Sequence, residues 1–373
     1  MLDKQSLTLL QEALNELDSG FNAMPSYDPS PTLDALREPL MAVAERMKDN
    51  YPYPHPLYAG QMLKPPHPVA RLAYSLALFI NPNNHALDGG RASSAMEKEA
   101  VAQLAKMFGW DEFLGHLTSG GTMANLEALW VAGQLHPEKV VLGSSQAHYT
   151  HNRICGVLKI PFESVDTDDR ARMDMDALAQ RLEGGDVGTI VATLGTTGAG
   201  SVDPLPEILE LAEKHGVRVH VDSAYGGYFT LASNLPPDVT EAYANIRHAD
   251  SIVIDPHKHG MQPYGCGCVL FRNPADGRFY KHDSPYTYFS SEELHLGEIS
   301  LECSRAGASA VALWATQRLM PPETGGEFAR NMELCRQAAV DLYERLDADP
   351  RYLTLFPPEI DIVLWAPVGE TLE

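Results

Sequence analysis

GVRVHVDSAYGG, residues 216–227, and DSIVIDPHKHG, residues 250–260, are the stretches on which the reading of this chain turns. In the first, Val217, Val219 and Val221 alternate with polar residues up to Asp222, after which small residues break the pattern. In the second, Ile252, Val253 and Ile254 form a short apolar run that gives way to Asp255, Pro256, His257 and Lys258. Both read as buried β-strands running out into polar loops. Strand ends of a parallel α/β sheet face one crevice, so Asp222 and Lys258 are predicted to share it.

Working outward, KVVLG (139–143), GTIVATLG (188–195) and GCGCVLF (265–271) read as further strands. Helical spacing predicts helices over 2–18, 33–47, 93–108, 122–134, 204–215, 306–320 and 324–346, with a last strand-like run, IDIVLWAP, at 360–367. Strands alternating with helices across short loops argue for a mainly parallel sheet with helices on both faces. Residues 51–68 carry too much proline for a regular helix and read as a structured arm or an active-site wall. PPETGG (321–326) lies in a plausible boundary near 300–325.

A chain of 373 residues is long for one core, and two domains are expected. Its 44% hydrophobic and 21% charged residues are those of an ordinary globular protein. A formal charge of −22 argues against nucleic acid and anionic membranes, which attract basic surfaces. The amphipathic, acid-bearing first 20 residues resemble no secretory signal, and no apolar run approaches the ~18 residues that span a bilayer. Five scattered cysteines show no zinc-like pairing; Cys266 and Cys268 read as small apolar residues of a buried strand, which implies a reducing compartment, the cytoplasm.

The chemistry begins with Lys258 and Asp222. A pyridine cofactor needs such a pair: the lysine holds it as a Schiff base, and the acid keeps the ring nitrogen protonated. The first hypothesis is therefore a pyridoxal-phosphate (PLP) enzyme. TSGGTMANLEAL, at 118–129, is a glycine turn opening a helix, which suits a phosphate or serves as a plain N-cap. His148, in SSQAHYTHN, is placed to stack on a pyridine face or to be a satisfied surface or core group. Thr196 and Thr197, in ATLGTTGAGSVDP, offer hydroxyls to a cofactor or simply form a turn.

These strings in this order resemble the group II PLP-dependent decarboxylases, the family of aromatic-amino-acid, glutamate and histidine decarboxylases with its archaeal tyrosine/aspartate branch. The resemblance runs from about Tyr53 to about Leu346. It implies the aspartate-aminotransferase-like fold (fold type I, α/β) with a mainly parallel seven-stranded sheet. An N-terminal helical arm (1–52) would precede a large PLP-binding domain (53–305) and an incomplete small C-terminal α+β domain (306–373). Residue by residue, it implies Lys258 as the Schiff-base lysine, Asp222 on the pyridine nitrogen, and His148 and Ala224 on the two ring faces. Thr197 would touch the polar edge of the ring, and Gly121, Thr122 and His257 would hold the phosphate. It further implies a homodimer with a shared site that His55–Gly60 would line, and a catalytic tyrosine, Tyr286 or Tyr288, on a loop after the lysine strand. Arg305 falls where the family has a structurally placed arginine.

Three departures accompany the resemblance. Asp255 stands where animal aromatic decarboxylases have an amide, and it is expected to point away from the phosphate or to pair with a base. DSAYGG and HKHG also look like sphingosine-phosphate lyases, which cleave a carbon–carbon bond. The chain ends after about half of the family's small domain, so apolar surfaces normally covered there are expected to be exposed. Decarboxylation of an L-amino acid to amine and CO2 is thus the expected activity. An aldehyde-lyase and a truncated, inactive partner subunit are the alternatives. The side chain of the substrate stays open, with a lean toward an aromatic or acidic amino acid by resemblance to the archaeal branch.

Overall fold

The computed structural model describes residues 5–25, 32–58, 65–281 and 300–369; Ala59, Gly60, Tyr286 and Tyr288 lie outside the described residues. Seven strands make the main sheet: β1 (Leu114–Thr118), β2 (Val140–Ser144), β3 (Phe162–Val165), β4 (Val187–Thr193), β5 (Arg218–Asp222), β6 (Ser251–Ile254) and β7 (Gly267–Phe271). Their order is β1-β7-β6-β5-β4-β2-β3, and every pairing is parallel except the two made by β7. The mainly parallel α/β sheet read from the sequence is therefore observed.

Parallel strands are covered on both faces, which is why they read as apolar runs. All seven residues of β4 and all four of β6 are buried. Alternate strand residues feed two cores. Leu142, Ile190, Val219, Val221 and Ile252 pack with Ile208 and Ala212 of helix α8 (Leu205–His215). Val141, Val191, Val253 and Val269 face the other way, onto helices α5 (Gly121–Leu135) and α6 (Thr150–Leu158). The chain runs toward one edge through β2 and β3, then returns through β4, β5 and β6. That reversal opens a crevice at the carboxyl ends of the strands, where Thr118, Ser144, Thr193, Asp222 and Ile254 end theirs.

Helix α8 stops at Gly216, whose φ of +66° is left-handed. A Cβ built there meets nothing within 4 Å, so Gly216→Ala carries only the backbone penalty. Urea unfolding should show a loss of about 1 kcal/mol; an unchanged midpoint would contradict that account.

Helices α3 (Pro68–Leu78) and α4 (Arg91–Met107) receive the helix Gly307–Leu319, and a longer helix, Glu327–Asp347, leads to a two-stranded sheet of β8 (Tyr352–Thr354) and β9 (Trp365–Pro367). The strand expected over IDIVLWAP is thus confined to its last residues. Ile360, fully buried, packs instead against the turn after β4: Cβ atoms built on Gly195 and Gly200 would lie 3.0 and 3.1 Å from its side chain. Strand β1 went unread because LGHLT offers only two aliphatic side chains. Helices α1 (Ser6–Ser19) and α2 (Leu33–Met47) bury no residue, and Leu33, Leu40 and Met47 stand exposed. Further exposed apolar side chains, including Leu353, Leu355 and Trp365, lie near the end of the chain. Among the described residues, no helix is long and apolar enough to cross a membrane.

Candidate active site

A cavity of about 500 Å³ opens at the carboxyl edge of the sheet. Its wall includes Gly121 and Thr122 from the start of α5, His148 from the loop before α6, and Thr197 from the turn after β4. Asp222 and Ala224 come from the end of β5, and His257 and Lys258 from the loop after β6. All eight cofactor-contacting residues proposed from sequence therefore meet in one crevice. The threonine alternatives separate here: Thr197 lines the cavity, whereas Thr196 is fully buried and accepts the Ser201 backbone N–H. His55 is not among the wall residues.

Asp222 is 5% exposed. Its Oδ1 accepts the Ala224 N–H at 3.0 Å; its Oδ2 accepts the Asn125 amide at 3.3 Å and lies 3.2 Å from His151 Nε2. Burial alone would raise its pKa. The charge of His151, the Ala224 N–H and the charge of Lys258 outweigh burial and hold the carboxyl below its usual range. Asp222 is therefore an anion in a dry setting, which is what a protonated pyridine nitrogen requires.

Asn125 is oriented from behind. Ser251 Oγ donates to His220 Nδ1 at 2.9 Å, and His220 Nε2 donates to Asn125 Oδ1 at 2.8 Å, leaving the Asn125 NH2 to face Asp222. Burial pushes the His220 pKa down to about 3, so the ring is neutral and its tautomer follows from these partners. Sequence reading missed His151, His220 and Asn125, although spacing held a signal for two. His220 is two residues before Asp222 on one strand face, and Asn125 lies one helical turn after Gly121.

Lys258 Nζ is 3.1 Å from Asp255 Oδ2, and His257 Nε2 is 3.6 Å from the same oxygen. Asp255 thus pairs with a base, one of the two outcomes expected for it. Burial pushes its pKa up, against the pull of Lys258 and His257. A Cβ on Gly121 would come within 2.7 Å of Asp255 Oδ2, so only glycine lets the first turn of α5 rest on this carboxylate. Asp255 then sits at the positive end of the helix dipole. His257 is anchored through Nδ1 to the Cys266 carbonyl at 2.8 Å. His148, half-buried, bonds Thr150 Oγ1 through Nδ1 at 2.7 Å. Burial lowers its pKa, with Asp222 pulling the other way, and it stays a neutral ring at pH 7.

The donor set fits PLP. Thr193 lines the cavity, and its buried Oγ1 has no hydrogen-bond partner among the described residues. The N-terminus of α5 presents backbone N–H groups for a phosphate, and an amine and an ionised carboxylate complete the set. Arg305 stands outside the cavity wall. Its guanidinium bridges Glu97 at 2.6 Å, the Leu117 carbonyl at 2.7 Å and the Asn84 carbonyl at 2.9 Å, joining three segments, as the structural role implied.

Comparison with known proteins gives one consistent picture. The sequence profile of the pyridoxal-dependent decarboxylase conserved domain matches residues 68–365. An L-tyrosine decarboxylase of Enterococcus faecium is 28% identical over 396 residues, covering 79% of this chain and 65% of that protein. A probable L-tyrosine/L-aspartate decarboxylase of Methanothermobacter thermautotrophicus is 29% identical over 310 residues, covering 82% of this chain and 81% of its own. Among solved structures, mouse CSAD superposes with a TM-score of 0.79 at 21% identity, covering 94% of this chain and 76% of that one, a likeness of fold.

Proposed function

The chain belongs to the pyridoxal-dependent decarboxylase family, and on that premise we propose that it binds PLP in this crevice and releases the α-carboxylate of an L-amino acid as CO2. The observation that carries the proposal is a buried carboxylate, Asp222, that accepts the Ala224 and Asn125 N–H groups on the same cavity wall as the Lys258 amine. Lys258 would carry the cofactor covalently and take it back from the product. Asp222 would hold the proton on the ring nitrogen. His148 and Ala224 would enclose the ring, Thr197 would meet its polar edge, and Gly121, Thr122 and His257 would hold the phosphate.

When bound, the group supplies a protonated ring that takes up the electron pair freed as the Cα–carboxylate bond breaks. A neutral His148 suits stacking on that cationic ring. A proton for Cα would then come from a loop tyrosine, Tyr286 or Tyr288, or from His148. The aldehyde-lyase alternative is not favoured by the relatives, which are named as decarboxylases.

The substrate proposed is an aromatic or acidic L-amino acid, the classes named for those two relatives. Further parts of the proposal are a homodimer and the cytoplasm. Helices α1 and α2 leave apolar side chains uncovered for a second copy, which would place His55–Gly60 at the shared site, and five free cysteines suit a reducing compartment. The purified protein with added PLP should release CO2 and the matching amine in equal amounts from L-tyrosine or L-aspartate. Release of an aldehyde instead would move the activity to carbon–carbon cleavage. An intact cofactor band with no product from any amino acid would leave the inactive-partner reading.

A further inference from the structure

His151 is fully buried, on the first turn of α6. Its Nδ1 lies 3.0 Å from the backbone oxygen of His148. A carbonyl oxygen only accepts, so Nδ1 carries a proton. Its Nε2 lies 3.2 Å from Asp222 Oδ2, off the line of a well-formed hydrogen bond but at ion-pair distance. Asp222 already accepts N–H groups from Ala224 and Asn125, an arrangement that suits the ionised carboxylate. The ring thus commits Nδ1 to a backbone carbonyl and sets Nε2 against the Asp222 carboxylate.

From this geometry we infer that His151 is a positioning residue of the cofactor site. As a buried cation it keeps Asp222 an anion while its other nitrogen ties down the backbone of His148, so one ring governs both the charge below the pyridine nitrogen and the placement of the stacking histidine. The inference rests on the PLP reading of the crevice.

The groups around Asp222 are few. His151 lies on α6 and His148 on the loop before it. Lys258 and Asp255 lie on the loop after β6, and His220 on β5. His220 is neutral, and Lys258 lies 3.1 Å from Asp255, which leaves His151 as the ring set against Asp222 alone. Without it, burial dominates and Asp222 takes up a proton at higher pH. Removing an opposite charge at this distance moves a carboxyl upward by about 1–3 pH units.

The test is the pH dependence of PLP affinity, read by equilibrium dialysis and by the cofactor absorbance, in the native chain, His151→Phe and His151→Gln. Both variants lack the charge, so the acid limb of affinity should move up by about one pH unit or more, and affinity near that limb should fall about tenfold or more. A purely structural role would lower affinity equally at all pH values; that result, or unchanged profiles, overturns the inference. Should His151→Phe fail to fold, His151→Gln, which keeps a neutral donor toward Asp222, decides by the same shift. If the native chain shows no Lys258-dependent PLP band, the PLP reading itself fails. A band with unshifted variants defeats the inference alone.

Discussion

Lys258→Ala is expected to abolish both the PLP absorbance band near ~420 nm that borohydride removes and the release of CO2, by about 10⁴-fold or more, as when a covalent nucleophile is deleted. Alanine also leaves Asp255 buried without the amine 3.1 Å away, so part of any loss could be blamed on folding. Lys258→Arg separates the two effects. A guanidinium can still pair with Asp255, but it has no amine of tunable pKa to form and release a bond to a carbonyl carbon. The arginine variant should unfold within a few degrees of the native chain and still lack the band and the activity. Measured turnover above about one per cent of native in either variant would sink the assignment of Lys258.

Asp222→Asn should be nearly as damaging, through charge rather than a covalent bond. The amide fills the same volume and can keep one oxygen toward the Ala224 N–H, but its NH2 must then face the Asn125 NH2 and the His151 ring. A donor meets donors, and the ring nitrogen of a bound pyridine has no anion to hold its proton. Decarboxylation should fall by about 10²–10⁴-fold, the range for loss of a group that manages a proton or a developing charge. Removing one partner from a buried, charged cluster also costs about 3–5 kcal/mol. Steady-state CO2 release and thermal unfolding read the two effects separately. A rate within tenfold of native would show that the ring nitrogen needs no anion here.

Much of the large sheet was legible because burial on both faces forces parallel strands into short apolar runs that sequence displays directly. Strands β1 and β3 escaped notice and the strand read over IDIVLWAP was too long, because their stability is not written locally. Strand β1 is made by pairing with β7, and the IDIVLWAP run is held by packing of Ile360 on the glycine turn after β4. The site divides along the same line. Lys258, Asp222, Gly121 and His148 each follow or open a regular element and could be named from that context. His151 could not, since it is an ordinary polar residue until its partner is known, and the spacing of His220 and Asn125 marks only a shared face with Asp222 and Gly121.

What the sequence by itself determined is therefore the class of fold, the chemistry of an amine and a carboxylate at neighbouring strand ends, and the order of motifs that marks the family. Only the tertiary structure decided the state of those groups. It placed Asn125, 97 positions away in the chain, and His151 on the same oxygen of Asp222, and it set Asp255 beside Lys258 under the first turn of α5. The physical reason is that protonation in a dry interior is decided by partners a few ångströms away. The crossovers of a parallel sheet bring those partners from segments far apart in the chain.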